Sequence, residues 1–367
     1  MNIKERLEAV YSGRKPDRIP WIPRLKIWYL AHKAQGILPK EFIDLSLREI
    51  EKKLHLGTPA RDGKIYMMKY NNIEIREEIK DDKLYKHYNT PEGVVTEVYK
   101  ININAREKDS PFAMGRIENL IKKVGDYKIL EYIIKNIHYL PDYDKYIRYE
   151  KEIGEDGIPL VNCGVDPMFL ILHEFIGYNN CYYELYDHPR ELKRLYEVCY
   201  EKQLELLEII SNSPAKVILY GSHYDSMMTP PPIFNEFIKP FLKIYSEKLH
   251  QKGKIHAIHA DAESLLLLES FRESGIDMVE CFATAPLVRC TLEDAINAWG
   301  SDMIIWGGIP STLLNPINYS EEEFIQYLNE ILHLINKKEV RIILGVSDNV
   351  MPEADINRIK MITELIK

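Results

Sequence analysis

The sequence predicts an α/β fold: a closed (β/α)8 TIM barrel with an N-terminal antiparallel β meander inserted in it. Three observations carry this. From residue 158 onward, short apolar runs and amphipathic helical stretches alternate six times, which is the signature of a parallel sheet built with crossover helices. No G-x-G-x-x-G opens any of these units, and the GGIP at 307–310 lacks that context. A closed ring therefore suits 367 residues better than an open dinucleotide-binding sheet. Residues 64–104 instead are rich in tyrosine and β-branched residues, with Asn71-Asn72 and Pro91-Glu92-Gly93 as turn signals. Alternation at 73–76 and 95–99 there reads as half-exposed antiparallel strands. The chain is thus expected to be one barrel domain over 1–367, with 64–104 as the insertion.

The elements follow in order. Residues 3–13 form an amphipathic helix with Ile3, Leu7 and Val10 on one face, ended by Gly13. Residues 18–27 (RIPWIPRLKI) are expected as the first strand, with two prolines limiting its pairing. Helices are expected over 41–54, 117–136 and 143–153. The regular part starts with a strand in IPLVNCG from 158, then helices over 169–176 and 189–210. VILYG at 217–221 is the next strand. A helix within 230–253 carries the stripe Phe234, Phe237, Phe241, Tyr245 and Leu249, which is core packing. Strands at 255–258, 276–279, 303–309 and 340–348 alternate with helices at 263–272, 291–299, 320–336 and from 353 onward. Ser320 followed by Glu323 marks a capping box. With 18–27 and one more strand before 158, the count approaches eight.

Composition excludes several classes. A net charge of −8 with no basic stripe argues against a nucleic-acid partner. No run of about 18 apolar residues is present, so no membrane span is expected. The N-terminal MNIKERLEAVYSGRKPDR lacks the apolar core of a signal peptide, which makes a cytoplasmic location the expectation. The five cysteines are widely spaced and form no C-x-x-C, so free buried thiols are expected, not disulfides. Cys163 and Cys281 fall at strand ends, where they have a chance of lining a pocket.

The most informative stretch is KIHAIHADAESLLLLESFRESGIDMVEC at 254–281. It reads as one β-α-β unit that delivers His259 and Asp261 from one strand end and Glu280 and Cys281 from the next. His223 with Asp225, and Ser347 with Asp348, follow two other strands. In a parallel barrel these ends converge on one mouth, where chemistry is done. An imidazole and two or three carboxylates meeting there suit Zn²⁺ with an open coordination position. Structural readings stand beside this one. Asp261 caps the following helix, Glu280 is a salt-bridged carboxylate, Asp348 holds the last turn, and His223 and Asp225 bond each other or loop backbone. His256, alternating with Ile255 and Ile258, belongs to the core or barrel wall.

RIPWIPR, the run FNEFIKPFLKIYSEKLHQKGK ending in HAD at 259–261, IDMVE, IIWGGIPSTLL and ILGVSDNVMPEADINRI together resemble the uroporphyrinogen decarboxylase superfamily over most of the chain. PRLKIWYLAHKAQGILP at 23–39 is similar to its corrinoid-dependent branch, the O-demethylase methyltransferase I type. The resemblance implies a barrel that moves a methyl group from an O-methyl ether, a methoxylated aromatic foremost, to the Co(I) of a corrinoid on a separate protein. Zinc is then expected to be held by His259, Glu280 and one or both of Asp261 and Asp348, with His223 and Asp225 as catalytic candidates that orient the substrate or supply a proton. Arg24, Trp28, Tyr29 and Cys163 are then expected to line the substrate pocket. The expected partners are the corrinoid protein, the small methylated substrate and, in a homodimer, a second copy of the chain. The thiol-methylating branch has His-x-Cys and a late Cys as zinc ligands, whereas here the motif is His259-Ala260-Asp261 with Val346, Ser347 and Asp348 late. The decarboxylase branch has an arginine-rich segment after its first strand, whereas here Arg24 alone stands before Leu25, Lys26, Ile27, Trp28 and Tyr29. A decarboxylase, a methyltransferase with an amine or thiol as substrate, and a non-catalytic binding protein remain the alternatives.

Overall fold

A computed structural model describes residues 1–102 and 114–367, so positions 103–104 of the expected meander lie outside the described residues. The chain divides into two compact units. One comprises Met1–Ile65, Tyr143–Gly164 and Pro214–Lys367, the other Tyr66–Asp142 and Val165–Ser213. The strands among the described residues are β1 (Tyr66–Tyr70), β2 (Glu74–Lys80), β3 (Lys83–Thr90), β4 (Gly93–Ile101), β5 (Met114–Glu118), β6 (Ile137–Pro141), β7 (Leu160–Asn162), β8 (Val217–Ser222), β9 (Ile255–His259), β10 (Met278–Phe282), β11 (Ile304–Pro310) and β12 (Arg341–Ser347).

In the first unit β7 to β12 pair in sequence order, every pairing parallel. Two extended segments continue the ring. Ile22 N donates to Leu344 O at 2.9 Å and Leu344 N to Pro20 O at 2.8 Å, which sets residues 20–22 beside β12. Gly57 N then donates to Trp21 O at 2.9 Å, and Leu160 N to Ala60 O at 3.1 Å. Backbone hydrogen bonds thus run from β12 through 20–22 and 57–60 to β7, giving eight staves. The strand expected over 18–27 is much shorter than that. Pro23 has no N–H to give, and a helix begins at Lys26 (α2, Lys26–Gln35; α1 is Ile3–Tyr11).

The period of two in each strand sends one set of side chains inward. Leu160, Leu219, Ala257, Met278, Trp306 and Ile343 form a buried cluster with Ile22, closed at one end by Leu7, Val10 and Tyr11 of α1. Each such aliphatic side chain contributes about 1.5–3 kcal/mol by leaving water. Arg341 ties the plug down, donating to the Val10 and Tyr11 carbonyls at 3.0 and 2.9 Å. The opposite faces of the strands pack under helices such as Lys239–His250, Leu292–Trp299 and Glu321–Lys337. The expected capping box is present: Glu323 N donates to Ser320 Oγ and Ser320 N to the Glu323 carboxylate.

Strand ends near the mouth break the regular ladder. β10 carries a bulge, with Glu280 opposite Trp306 and Phe282 opposite Gly307, so that Cys281 is the extra residue. A Cβ on Gly307 would stand 2.6 Å from the Phe282 backbone N and O, so this close approach of β10 to β11 requires glycine. His223, Cys281 and Asp348 all adopt left-handed φ, at 54°, 57° and 59°. For non-glycine residues this is uncommon, and it clusters at functional sites.

The second unit holds the antiparallel strands. β2-β3-β4-β5 form one sheet and β1 pairs with β6. The expected meander is therefore present, but as part of a larger unit than the insertion at 64–104. The helix expected over 117–136 is shorter, Gly125–Lys135, because β5 and β6 flank it. It packs on β4 and on the long helix Pro189–Ser211. Buried Glu97 on β4 accepts from the Tyr88 and Tyr99 hydroxyls at 2.8 and 2.9 Å and pairs with Arg116 at 3.3 Å. No helix among the described residues is long and apolar enough to cross a membrane.

Candidate metal centre at the barrel mouth

His259 is the last residue of β9 and is buried. Its Nδ1 donates to Glu280 Oε2 at 2.6 Å, across the β9–β10 pairing that sets these two residues side by side. Glu280 is fully buried, and its other oxygen is held by the Arg61 guanidinium. With Nδ1 engaged, Nε2 faces Asp261 Oδ2 at 3.3 Å and Asp348 Oδ1 at 3.6 Å. A carboxylate fixing one ring nitrogen while the other is left to a cation is the usual support of a metal-binding histidine.

Two overlapping sets of donors meet at this ring. His223, His259 and Asp261 form one, and His259, Cys281 and Asp348 the other; within each set the ligand atoms lie within 4.8 Å of one another. Nitrogen, carboxylate oxygen and thiol sulfur fit a borderline divalent ion such as zinc. Burial opposes charge on His259, but Glu280, Cys281, Asp261 and Asp348 together raise its pKa well above the ordinary imidazole value. Burial likewise opposes ionisation of Glu280, yet Arg61, His259 and Arg24 hold it well below the usual carboxylate range. Asp261 and Asp348 are lowered against the same burial penalty, Asp261 by His223 and His259, Asp348 by His259 and Arg24. The Cys281 thiol is pushed up, first by burial and then by Glu280. The mouth thus holds three carboxylates at low pKa facing two imidazoles, His259 and His223, and two guanidiniums.

The residues expected at the site fare differently. His259, Asp261 and Asp348 come together as ligand candidates. Glu280 sits beside them, but its oxygens are taken by Arg61 and His259, so it positions the imidazole instead of facing the cation. His223 is half-exposed at the mouth; its Nδ1 lies 2.9 Å from Asp261 Oδ1, and its ring stands edge-on to His259 at 5.2 Å. Asp225 lies in the loop after β8. It accepts from Met227 N and Met228 N at 2.7 and 3.1 Å and from Glu263 N at 3.3 Å, so it organises a loop. Arg24 reaches the site, donating to Asp348 Oδ1 at 2.7 Å and Cys281 Sγ at 3.2 Å.

Trp28 and Tyr29 do not form a pocket wall. Both lie on the buried face of α2, where Trp28 donates to Ala354 O at 3.2 Å and packs at a tilt against His32, and the Tyr29 hydroxyl donates to Leu45 O. Cys163 is fully buried, with its thiol 3.6 Å from Val161 O. His256 is a core residue as expected: its ring nitrogens meet Tyr220 O and Ser246 Oγ at 3.0 and 2.7 Å, and burial pulls its pKa down to about 4.

Sequence reasoning missed Arg61 altogether, because GTPARDGK at 57–64 has loop composition although it supplies a stave of the ring. It noticed Cys281 as a strand-end thiol without assigning it to the metal. The signal was there, in a cysteine directly after the strand-end glutamate.

Fold and site together define a barrel enzyme with a candidate metal centre on the C-terminal side of its strands. The family model for uroporphyrinogen decarboxylase (URO-D) matches residues 102–367, and the chain belongs to that family. A search of curated proteins finds no match. Among solved structures, a methyltransferase from Methanosarcina mazei is similar over 99% of this chain and 98% of its own, at 12% identity and a TM-score of 0.54. An octameric ribulose-1,5-bisphosphate carboxylase/oxygenase from Pyrococcus horikoshii OT3 overlaps 61% of this chain and 46% of its own at 12% identity, but its TM-score of 0.30 is too low to bear on the fold.

Proposed function

We propose that the protein is a zinc-dependent methyltransferase that takes a methyl group from an O-methyl ether, foremost a methoxylated aromatic, and passes it to the Co(I) of a corrinoid on a separate protein. The observation that carries this reading is the buried His259, clamped through Nδ1 by Glu280 and presenting Nε2 to Asp261 and Asp348. His259, with Asp261 and Asp348, would hold the zinc, which when bound would supply Lewis-acid chemistry at the ether oxygen. Arg61 and Glu280 keep the imidazole in one tautomer and orientation. Arg24 fixes Asp348. The departing oxygen needs a proton, and His223, reachable from solvent and held by Asp261, is the side chain best placed to deliver it.

The corrinoid protein must cover the mouth to bring its cobalt within reach. The loops after β8, β9 and β10 present exposed Met227, Leu266 and Leu287 for such a contact. They are tied together by Glu263, whose carbonyl accepts from Ser226 N at 2.7 Å and whose carboxylate accepts from Arg289 N at 2.6 Å. The resemblance of the fold to a methyltransferase supports the same reading.

Decarboxylation, the activity that the family's name states, is the second reading, favoured by the two guanidiniums of Arg24 and Arg61 at the mouth. Both already pair with carboxylates of this chain, Asp348 and Glu280, which weighs against their gripping a polycarboxylate. The test is a methyl-transfer assay with purified protein, cob(I)alamin and a panel of methoxylated aromatics, run before and after chelation. Methylation of cob(I)alamin that stops on chelation supports the proposal. Porphyrinogen turnover unaffected by chelation overturns it.

A further inference from the structure

We propose that Cys281 is itself a ligand of the cation at the mouth, so that the site is a nitrogen, oxygen and sulfur centre built by His259, Asp348 and Cys281. This rests on the reading that a metal occupies the mouth.

The geometry of β10 is the starting point. The bulge places two consecutive residues, Glu280 and Cys281, toward the same region, which a regular strand cannot do. Their side chains meet there, the thiol 3.1 Å from Glu280 Oε1. Glu280 is spent on Arg61 and on His259 Nδ1. It cannot turn to a cation without leaving the Arg61 guanidinium unpaired and the imidazole unoriented. The strand's ligand is therefore the neighbouring thiol.

Two side chains point at the same place. Arg24 donates from one nitrogen to both Asp348 Oδ1 and Cys281 Sγ, at 2.7 and 3.2 Å. A positive group thus already bridges the two donors, which marks the position between them as favourable to a cation. Asp348 Oδ2 is held separately by Asn349 Nδ2 at 2.7 Å, so the carboxylate keeps its orientation if Arg24 withdraws. The three ligand atoms lie within 4.8 Å of one another. Tetrahedral zinc with bonds of about 2.0–2.3 Å needs donors about 3.3–3.8 Å apart, a contraction that small side-chain rotations supply. Cys281 binds as thiolate, its proton passing to water as the metal enters.

The competing set, His223, His259 and Asp261, contains no sulfur. The two sets therefore differ in a spectroscopic property. A sulfur ligand also turns the site toward zinc and cobalt and away from magnesium and calcium.

The experiment uses the full-length protein loaded with Co²⁺ alone and, separately, with Zn²⁺ alone. The expected result is a thiolate-to-cobalt charge-transfer absorption in the near ultraviolet that persists in His223→Ala and disappears in Cys281→Ser, with cobalt affinity in the latter reduced by at least tenfold. Zinc-edge X-ray absorption of the unaltered protein covers the case in which Cys281→Ser misfolds: one sulfur neighbour at about 2.3 Å is expected. Stoichiometric metal with no sulfur neighbour overturns the inference, as does a charge-transfer band that survives Cys281→Ser or a failure to bind either metal. A sulfur-ligated metal without methyl transfer leaves this inference standing and sinks the proposed function. Chelator-sensitive methyl transfer by a sulfur-free site does the reverse.

Discussion

Glu280 Oε2 stands 2.6 Å from His259 Nδ1, in a place where both side chains are buried. The contact decides which ring nitrogen is left for chemistry. Replacing Glu280 with Gln keeps the shape and removes the charge. The expected result is a metal affinity lower by about 10–100-fold, as found when such outer partners are changed. Calorimetric titration with zinc measures it, and unchanged affinity would remove Glu280 from the positioning role.

Arg61 acts through Glu280. Arg61→Met leaves a buried carboxylate without its guanidinium partner, with His259 and the Cys281 thiol as its hydrogen-bond partners, and breaking a buried pair in this way costs about 3–5 kcal/mol. Expected are a lower melting temperature and weaker zinc binding, both restored in part by Arg61→Lys. A loss of stability with zinc affinity intact would make Arg61 purely structural.

Gly307 tests the bulge. Its φ of 154° and the 2.6 Å approach to the Phe282 backbone leave no room for a methyl group. Gly307→Ala is expected to destabilise by on the order of 2 kcal/mol or more, through strain in backbone that cannot yield. Chemical denaturation reads this directly, and a neutral outcome would mean that β10 and β11 separate easily at this point.

The helix Leu47–Lys53 carries a pH-dependent liability. Glu51 is 3% exposed, and burial raises its pKa from 4.5 to about 7, with Thr58 and Arg48 offsetting part of the rise and Asp156 adding to it. A folded-state pKa above the unfolded one means that the stability contribution is full below pH 4.5 and is lost as pH rises through 7. The loss is on the order of 3 kcal/mol. Glu51→Gln is expected to flatten stability between pH 5 and 8 and to raise the melting temperature at pH 8; an identical pH profile in the variant would contradict this.

The exposed apolar rim gives a prediction about the partner. Met227→Asp with Leu266→Asp is expected to raise the KM for the corrinoid protein several-fold while methylation of free cob(I)alamin proceeds as before. Equal loss with both acceptors would place these residues in the pocket and not on a docking face.

Much of the barrel was legible because β8 to β12 are covered on both faces and so read as short apolar runs between helices. The stave at 20–22 was expected, but as a longer strand over 18–27; the one at 57–60 was not, since a few backbone hydrogen bonds hold it and it has no room for an apolar repeat. That His259, Asp261 and Asp348 lie close together could be read because strand ends of a parallel barrel must converge. For Asp225 the structure shows the loop-backbone bonds that stood beside the catalytic reading: a carboxylate two residues beyond His223 in a tight loop serves the loop's own N–H groups. Trp28 and Tyr29 were misread because aromatic character near Arg24 looks the same whether a helix turns it toward a pocket or toward the core. Arg61 and the left-handed turn at Cys281 depend on tertiary register, which the local pattern of residues does not carry.

A cation at His259 is what the proposed chemistry requires. Zinc titration of the metal-free protein, followed by the same titration of His259→Ala, is the most direct measurement. One tightly bound zinc per chain in the first case and none in the second is expected. No binding to the unaltered protein, or the same affinity in both, would contradict it.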